Sequence, residues 1–248
     1  MRERTTNRLL LGTILALVGG VVTTMATSLW APPIDDATGC LEAGVSAETT
    51  VLIDASDPIP DALLDSVLQI VLNVAFARGP DHRVRLFVLG GGNEVDLVAL
   101  DAFCNPLKDG EGGSAYRERI SRTLEDRVRG VLDVAAAGQR LASPILEATD
   151  RLRARPELAV VPKRDLILIS DLLQNTDLLS FYPGKPGYSP PSSFKQRGKA
   201  AGSSPFWQHV AVFELHRPGL RALQTRALRR FWTGYFGRIS GKVALHRL

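Results

Sequence analysis

What this 248-residue chain holds least of is acid in its last third and sulfur throughout. After Asp177 the only carboxylate side chain is Glu214, set against twelve Lys and Arg, so residues 178–248 sum to +11 and residues 1–177 to −7. Such an asymmetry does not suit a uniformly basic nucleic-acid binder, and no nucleic-acid partner is expected. There are only two cysteines, Cys40 and Cys104, and no histidine clusters with either, which argues against a structural zinc site. The four histidines, His82, His209, His216 and His246, form no ligand spacing of their own. Several signatures of chemistry are missing as well. There is no G-x-S-x-G elbow, no G-x-x-x-x-G-K-[ST] phosphate loop and no G-x-G-x-x-G opening a helix, since Gly90-Gly91-Gly92 leads from one strand into another. The expected protein is therefore not an enzyme and has no small-molecule substrate.

What is present begins with 22 uncharged residues from Leu9 to Trp30. At about 1.5 Å per residue they reach across a hydrocarbon core of about 30 Å, and the run reads as a transmembrane signal-anchor. Arg2, Arg4 and Arg8 precede it and Asp35 and Asp36 follow it, which keeps residues 1–8 in the cytoplasm and exports the rest to the periplasmic side of the inner membrane. A cleaved signal peptide is the competing reading, with small residues at Thr24-Met25-Ala26. Both cysteines fall in the exported part, where a disulfide and a pair of free thiols are the two alternatives.

Residues 31–47, with Pro32-Pro33, Gly39 and Gly44, read as a linker, and residues 48–248 as one α/β domain. Thr50 to Ile53 is an apolar run stopped by Asp54, the pattern of a strand buried on both faces. A helix is expected next, with Asp57 as N-cap and Pro58 in its first turn, ending near Arg78-Gly79-Pro80. Val84 to Leu89 is a second strand and Glu94 to Leu100 a bordering one. Helices are expected from Tyr116 to about Arg140 and, capped by Ser143 ahead of Pro144, through Leu152. Leu166 to Ser170 is a buried strand ending at Asp171. A Pro, Gly, Ser and Lys-rich excursion runs over the surface from about 181 to 205. Val210 to Leu215 is a strand, Leu220 to Phe236 a helix with Leu223, Ala227, Phe231 and Tyr235 on one side, and Lys242 to His246 a last strand. This alternation predicts a three-layer, doubly wound, mostly parallel sheet with helices on both faces.

In such a sheet ligands bind outside the carboxyl ends of the strands. Asp54 and Asp171 both stand at strand ends, Ser56 follows Asp54 in a tight turn, and Ser143 opens a helix. Carboxylate and hydroxyl oxygens converging on a small space suit a hard cation, Mg²⁺ or Mn²⁺. On these residues the chain resembles the von Willebrand factor A-type domain family, whose metal-ion-dependent adhesion site uses a D-x-S-x-S loop, a second-loop Thr or Ser, and a third-loop Asp. The resemblance implies a metal set of Asp54, Ser56, Ser143 and Asp171, with Asp57, Gln174 and Asn175 as ligand-facing neighbours. It departs at Pro58, which stands where the second loop Ser belongs and offers no oxygen. It also implies a membrane-anchored protein-interaction domain of adhesion or scaffold type, with a partner carboxylate completing the metal shell.

Plainer readings stand beside these. Asp57 and Ser143 can serve as helix caps alone, at about 1 kcal/mol each. Arg221, Arg226, Arg229 and Arg230 form either the solvated face of an amphipathic helix or a contact with acidic lipid or an acidic partner, and pairing with the acidic first part of the chain would also absorb the imbalance. A metal-dependent phosphoester hydrolase on the same carboxylates is one alternative function. A metal-free scaffold binding through the long loop and basic helix is the other.

Overall fold

Ala47–Asp54 (β1) is buried at all eight positions, and its side chains alternate between two cores: Val51 and Ile53 belong to one, Leu52 to the other. That division explains why the sequence shows a continuous apolar run rather than alternation. The computed structural model describes residues 33–90, 95–105, 111–137, 143–193 and 205–248. The predicted span from Leu9 to Trp30 lies outside them, and among the described residues no helix is long and apolar enough to cross a membrane.

The remaining elements are Asp61–Phe76 (α1), His82–Leu89 (β2), Leu97–Phe103 (β3), Glu111–Ala137 (α2), Ile145–Arg153 (α3), Pro156–Ala159 (α4), Lys163–Ser170 (β4), Trp207–Glu214 (β5), Arg226–Ile239 (α5) and Ser240–Arg247 (β6). They form a mixed α/β fold around one six-stranded sheet of order β3-β2-β1-β4-β5-β6. Every pairing is parallel except β2 with β3. β1 sits in the middle, and the chain leaves it toward β2 while the chain leaving β4 heads for β5. The carboxyl ends of β1 and β4 are therefore the point where connections diverge.

One face is covered by α1 and α2, through Val67, Leu68, Val71, Ile120, Leu124 and Val128. The other is covered by α3, α4 and α5, through Ile145, Leu152, Leu158, Leu228, Trp232 and Phe236. Removing any one of these large side chains from its core would cost about 2–5 kcal/mol.

Several local expectations are corrected. Asp57 is not an N-cap: α1 starts only at Asp61, with Pro60 at its cap position and no side-chain cap bond. Asp57 and Ile59 each precede a proline, which disfavours helical backbone until both rings are passed. Ser143 does not cap α3 either, whose cap position is Pro144. The last helix buries Leu228, Trp232 and Phe236, one residue round from the predicted stripe, because it starts at Arg226 with the Thr225 hydroxyl accepting the Leu228 amide N–H. The 181–205 excursion begins inside the molecule: Phe181 is buried edge-on against Phe231 and Trp232, at 5.0 and 6.3 Å between ring centroids. Residues 194–204 of it lie outside the described residues.

The segment before β1 is tied to the domain. Cys40 and Cys104 form a disulfide, the Leu41 amide donates to the Pro80 carbonyl at 3.0 Å, and the Tyr116 hydroxyl faces the carbonyls of Thr38 and Cys104 at 2.8 and 3.0 Å. Gly39, with φ +70°, is the residue this junction needs, since a Cβ there would lie 2.5 Å from the Cys104 carbonyl oxygen.

Candidate functional site

The two aspartates at the strand ends do meet. Asp54 is the last residue of β1 and 2% exposed; Asp171 follows β4 and is 3% exposed. Burying a carboxylate requires donors or a cation. Asp54 is supplied with hydroxyls. Its Oδ1 accepts from the Ser56 hydroxyl at 2.5 Å and the Ser56 amide at 3.1 Å, while Oδ2 accepts from the Ser170 hydroxyl at 2.6 Å and the Ser143 hydroxyl at 3.2 Å. Ser143, 89 positions further along, thus belongs to the site rather than to a cap.

Asp171 is supplied differently. Its Oδ1 accepts the Leu173 amide at 3.0 Å, and its Oδ2 accepts Nε of Arg217 at 2.7 Å. The same guanidinium donates through one terminal nitrogen to the Pro58 carbonyl and through the other to the Asp57 carbonyl at 3.3 Å. Arg217 lies in the connection after β5, the strand next to β4, and its side chain is 11% exposed. One planar fork therefore joins the loops that follow three strands.

Burial, first, and the charge of Asp54, second, push the Asp171 carboxyl up to about 6, with Arg217 pulling it back. Tyr182 lies in the same field, and burial followed by the charges of Asp171 and Asp57 raises its phenol.

The backbone around Asp171 is held in place by its neighbours. Leu172 is left-handed at φ 65°, a conformation costing about 1–2 kcal/mol in a residue with a Cβ. Its amide donates to the Ser170 hydroxyl at 2.9 Å and its carbonyl accepts the Trp232 indole N–H at 2.8 Å. Gln224 donates to the carbonyls of Leu215 and Asp171 and accepts the Arg217 amide at 2.9 Å.

The expected neighbours turn out to be scaffolding. Gln174 is fully buried, accepts the Leu146 amide at the start of α3 at 3.1 Å and donates to Glu147 at 2.8 Å, so it supplies the cap that Ser143 does not. Asn175 exchanges both backbone bonds with Ser143 and accepts the Ser180 hydroxyl at 2.9 Å. Asp57 meets Arg217 through its carbonyl.

The four C-terminal arginines divide. Arg226 and Arg230 are exposed, and Arg221 approaches His216 at 3.1 Å. Arg229 is turned inward, a bidentate partner at 2.6 and 3.1 Å of the buried Glu214.

Three residues escaped the sequence reading: Ser170, Arg217 and Gln224. Ser170 was visible as the position before Asp171. Arg217, three residues past the end of β5, becomes a site residue only once β5 is known to lie beside β4.

No family model matches the chain, and no curated protein matches it. Among solved structures, the crystal structure of the TFIIH p34 N-terminal domain is similar at 16% identity, with a TM-score of 0.29, over 50% of this chain and 66% of that one. A likeness that distant carries no argument about what this chain does.

Among the described residues, no group of three or more His, Cys, Asp and Glu is placed to hold a metal ion. Of the oxygens expected to face a cation, the carboxylate oxygens of Asp54 and Asp171 each accept from a protein donor. Ser56, Ser143 and Ser170 all direct their hydroxyl hydrogens at Asp54, and none of them is aligned with a histidine base.

Proposed function

We propose that the protein is a membrane-anchored, non-cytoplasmic interaction domain of von Willebrand factor A type, which binds a partner protein at the corner where β1 and β4 end. The observation that carries this reading is the corner itself: two buried carboxylates from separate strand ends, three hydroxyls committed to one of them, and a guanidinium on the other. A hydrolase needs an activated nucleophile or a positioned water, and here the hydroxyls serve as donors to a carboxylate. The turn hung from Asn175 carries Leu178, whose side chain is 86% exposed beside this corner's scaffolding, an apolar contact point for a partner. The uncharged run from Leu9 to Trp30 supports the anchor. The Cys40–Cys104 bridge supports an oxidising compartment on the far side of the membrane.

The test is site-specific photo-crosslinking of the full-length protein in its native membrane. A crosslinker at Leu178 is compared with one at Val160, which is 79% exposed at the opposite rim of the sheet. One discrete protein adduct from Leu178, lost in Asp54→Ala and missing from Val160, is expected. Equal adducts from both positions, or none from Leu178, would refute binding at this corner.

A further inference from the structure

The geometry points to Arg217 as a permanent replacement for the divalent cation that the resemblance to adhesion-type domains implies, so that this corner takes neither Mg²⁺ nor Mn²⁺. The donor set does not fit a metal. Mg²⁺ demands near-octahedral oxygen ligands at about 2.0–2.1 Å. Here the available Asp171 oxygen is in contact with Nε of Arg217 at 2.7 Å, and the carbonyls of Asp57 and Pro58 accept from its two terminal nitrogens. Pro58 replaces the residue that would supply a further hydroxyl, and the carbonyl of that same residue is bound by the guanidinium.

The substitution is coherent in charge and in reach. A guanidinium stays protonated at every physiological pH, so it is a cation that cannot dissociate, exchange or be chelated. Its flat fork gathers oxygens from the β1–α1 loop and the end of β4, two segments that a metal would otherwise have to hold together. The main-chain bond from Arg217 to Gln224, which itself donates to the Asp171 carbonyl, fixes the arginine in that position. The structure of this corner is then indifferent to chelators and to cation concentration, whether or not a partner binds there.

Isothermal titration of the disulfide-bonded domain with Mn²⁺, together with melting curves in EDTA and in millimolar Mn²⁺, tests the assignment. Wild type should give flat heats and one melting temperature in all conditions. Arg217→Ser uncovers the Asp171 carboxylate and two carbonyls opposite the hydroxyl-bound Asp54. It should gain saturable Mn²⁺ heat, or a melting temperature that rises with Mn²⁺, and Asp171→Ala in that background should remove the gain. Arg217→Lys keeps the charge and should stay indifferent to Mn²⁺. Saturable binding by wild type would overturn the proposal. So would an Arg217→Ser protein, folded or not, whose folding and heats are unchanged by Mn²⁺. Neither result depends on the crosslinking outcome, which bears on the partner alone.

Discussion

At the amino-end rim of the sheet, Glu48 is buried between two guanidiniums, Arg83 at 2.6 Å and Arg85 at 2.8 Å. At the corner where β1 and β4 end the proportions are reversed: Asp54 and Asp171 lie together with one guanidinium, that of Arg217, which binds Asp171 while Asp54 takes the Ser170 hydroxyl and its fellows. The first arrangement is redundant and carries surplus positive charge, while the second has no spare cation and leans on hydroxyls. The amino-end rim is also closed covalently, since β3 runs antiparallel and delivers Cys104 to that end, where it is bonded to Cys40. A structural rim can be overdetermined in this way. The corner at the ends of β1 and β4 keeps its polar groups close-packed and near the limit of compensation, and the carboxyl pushed up to about 6 is found there.

The largest expected effect comes from breaking the Arg217–Asp171 pair. Arg217→Ala leaves Asp171 buried without its counter-ion and should lower the unfolding free energy by about 3–5 kcal/mol in urea titration. Arg83→Ala, which leaves Arg85 on Glu48, should cost only about 1 kcal/mol. Equal losses would mean that the two rims are balanced alike after all.

Next in size is the covalent clamp. Replacing Cys40 and Cys104 together by Ser should cost about 2–4 kcal/mol, read from the same denaturant curves with and without reductant. The Tyr116 and Gly39 contacts would loosen with it, visible as faster amide exchange at position 104, while protection at Asp54 and Asp171 should be unchanged.

The smallest effect concerns pH and sharpens the contrast. Because the folded Asp171 carboxyl is raised from 3.8 to about 6, its neutral form is the one the fold favours. Its contribution to stability is thus complete below about pH 4 and lost as pH rises through about 6. Asp54→Asn removes the second of the three causes raising it, which are burial, the charge of Asp54 and the charge of Asp57. The carboxyl resonance of Asp171, followed by ¹³C NMR, should titrate at lower pH in that variant, and the fall in stability should move down with it. An unmoved midpoint would show that the two carboxylates do not sense each other.

Much of the fold was legible. Val51, Leu52 and Ile53, Val84 to Leu89 and Leu166 to Ser170 identified themselves as buried strands, because apolar runs of strand length with polar stops have few other uses. Asp54, Ser56, Ser143 and Asp171 lie at one corner, as the rule that parallel strands deliver their carboxyl ends to one side leads one to expect. The caps at Asp57 and Ser143 were misread, for two reasons. Local proline sterics delayed α1, and the Leu146 amide at the start of α3 is taken by the Gln174 side chain while the Ser143 hydroxyl turns to Asp54. The α5 stripe was read one residue off because Leu223 was included in a helix that Thr225 starts later.

By itself, then, the sequence determined which segments are strands and helices, which strand ends carry carboxylates, and that acid and base are unevenly divided along the chain. Those features are written in local patterns of polarity and size. Only the tertiary structure decided that the connection after β5 lies against the ends of β1 and β4, bringing Arg217 to Asp171 across 46 positions and to Asp57 across 160. Strand neighbours are chosen by backbone hydrogen bonds that are the same for every residue. The identity of the cation at this corner therefore follows from strand order, which no local stretch of sequence specifies.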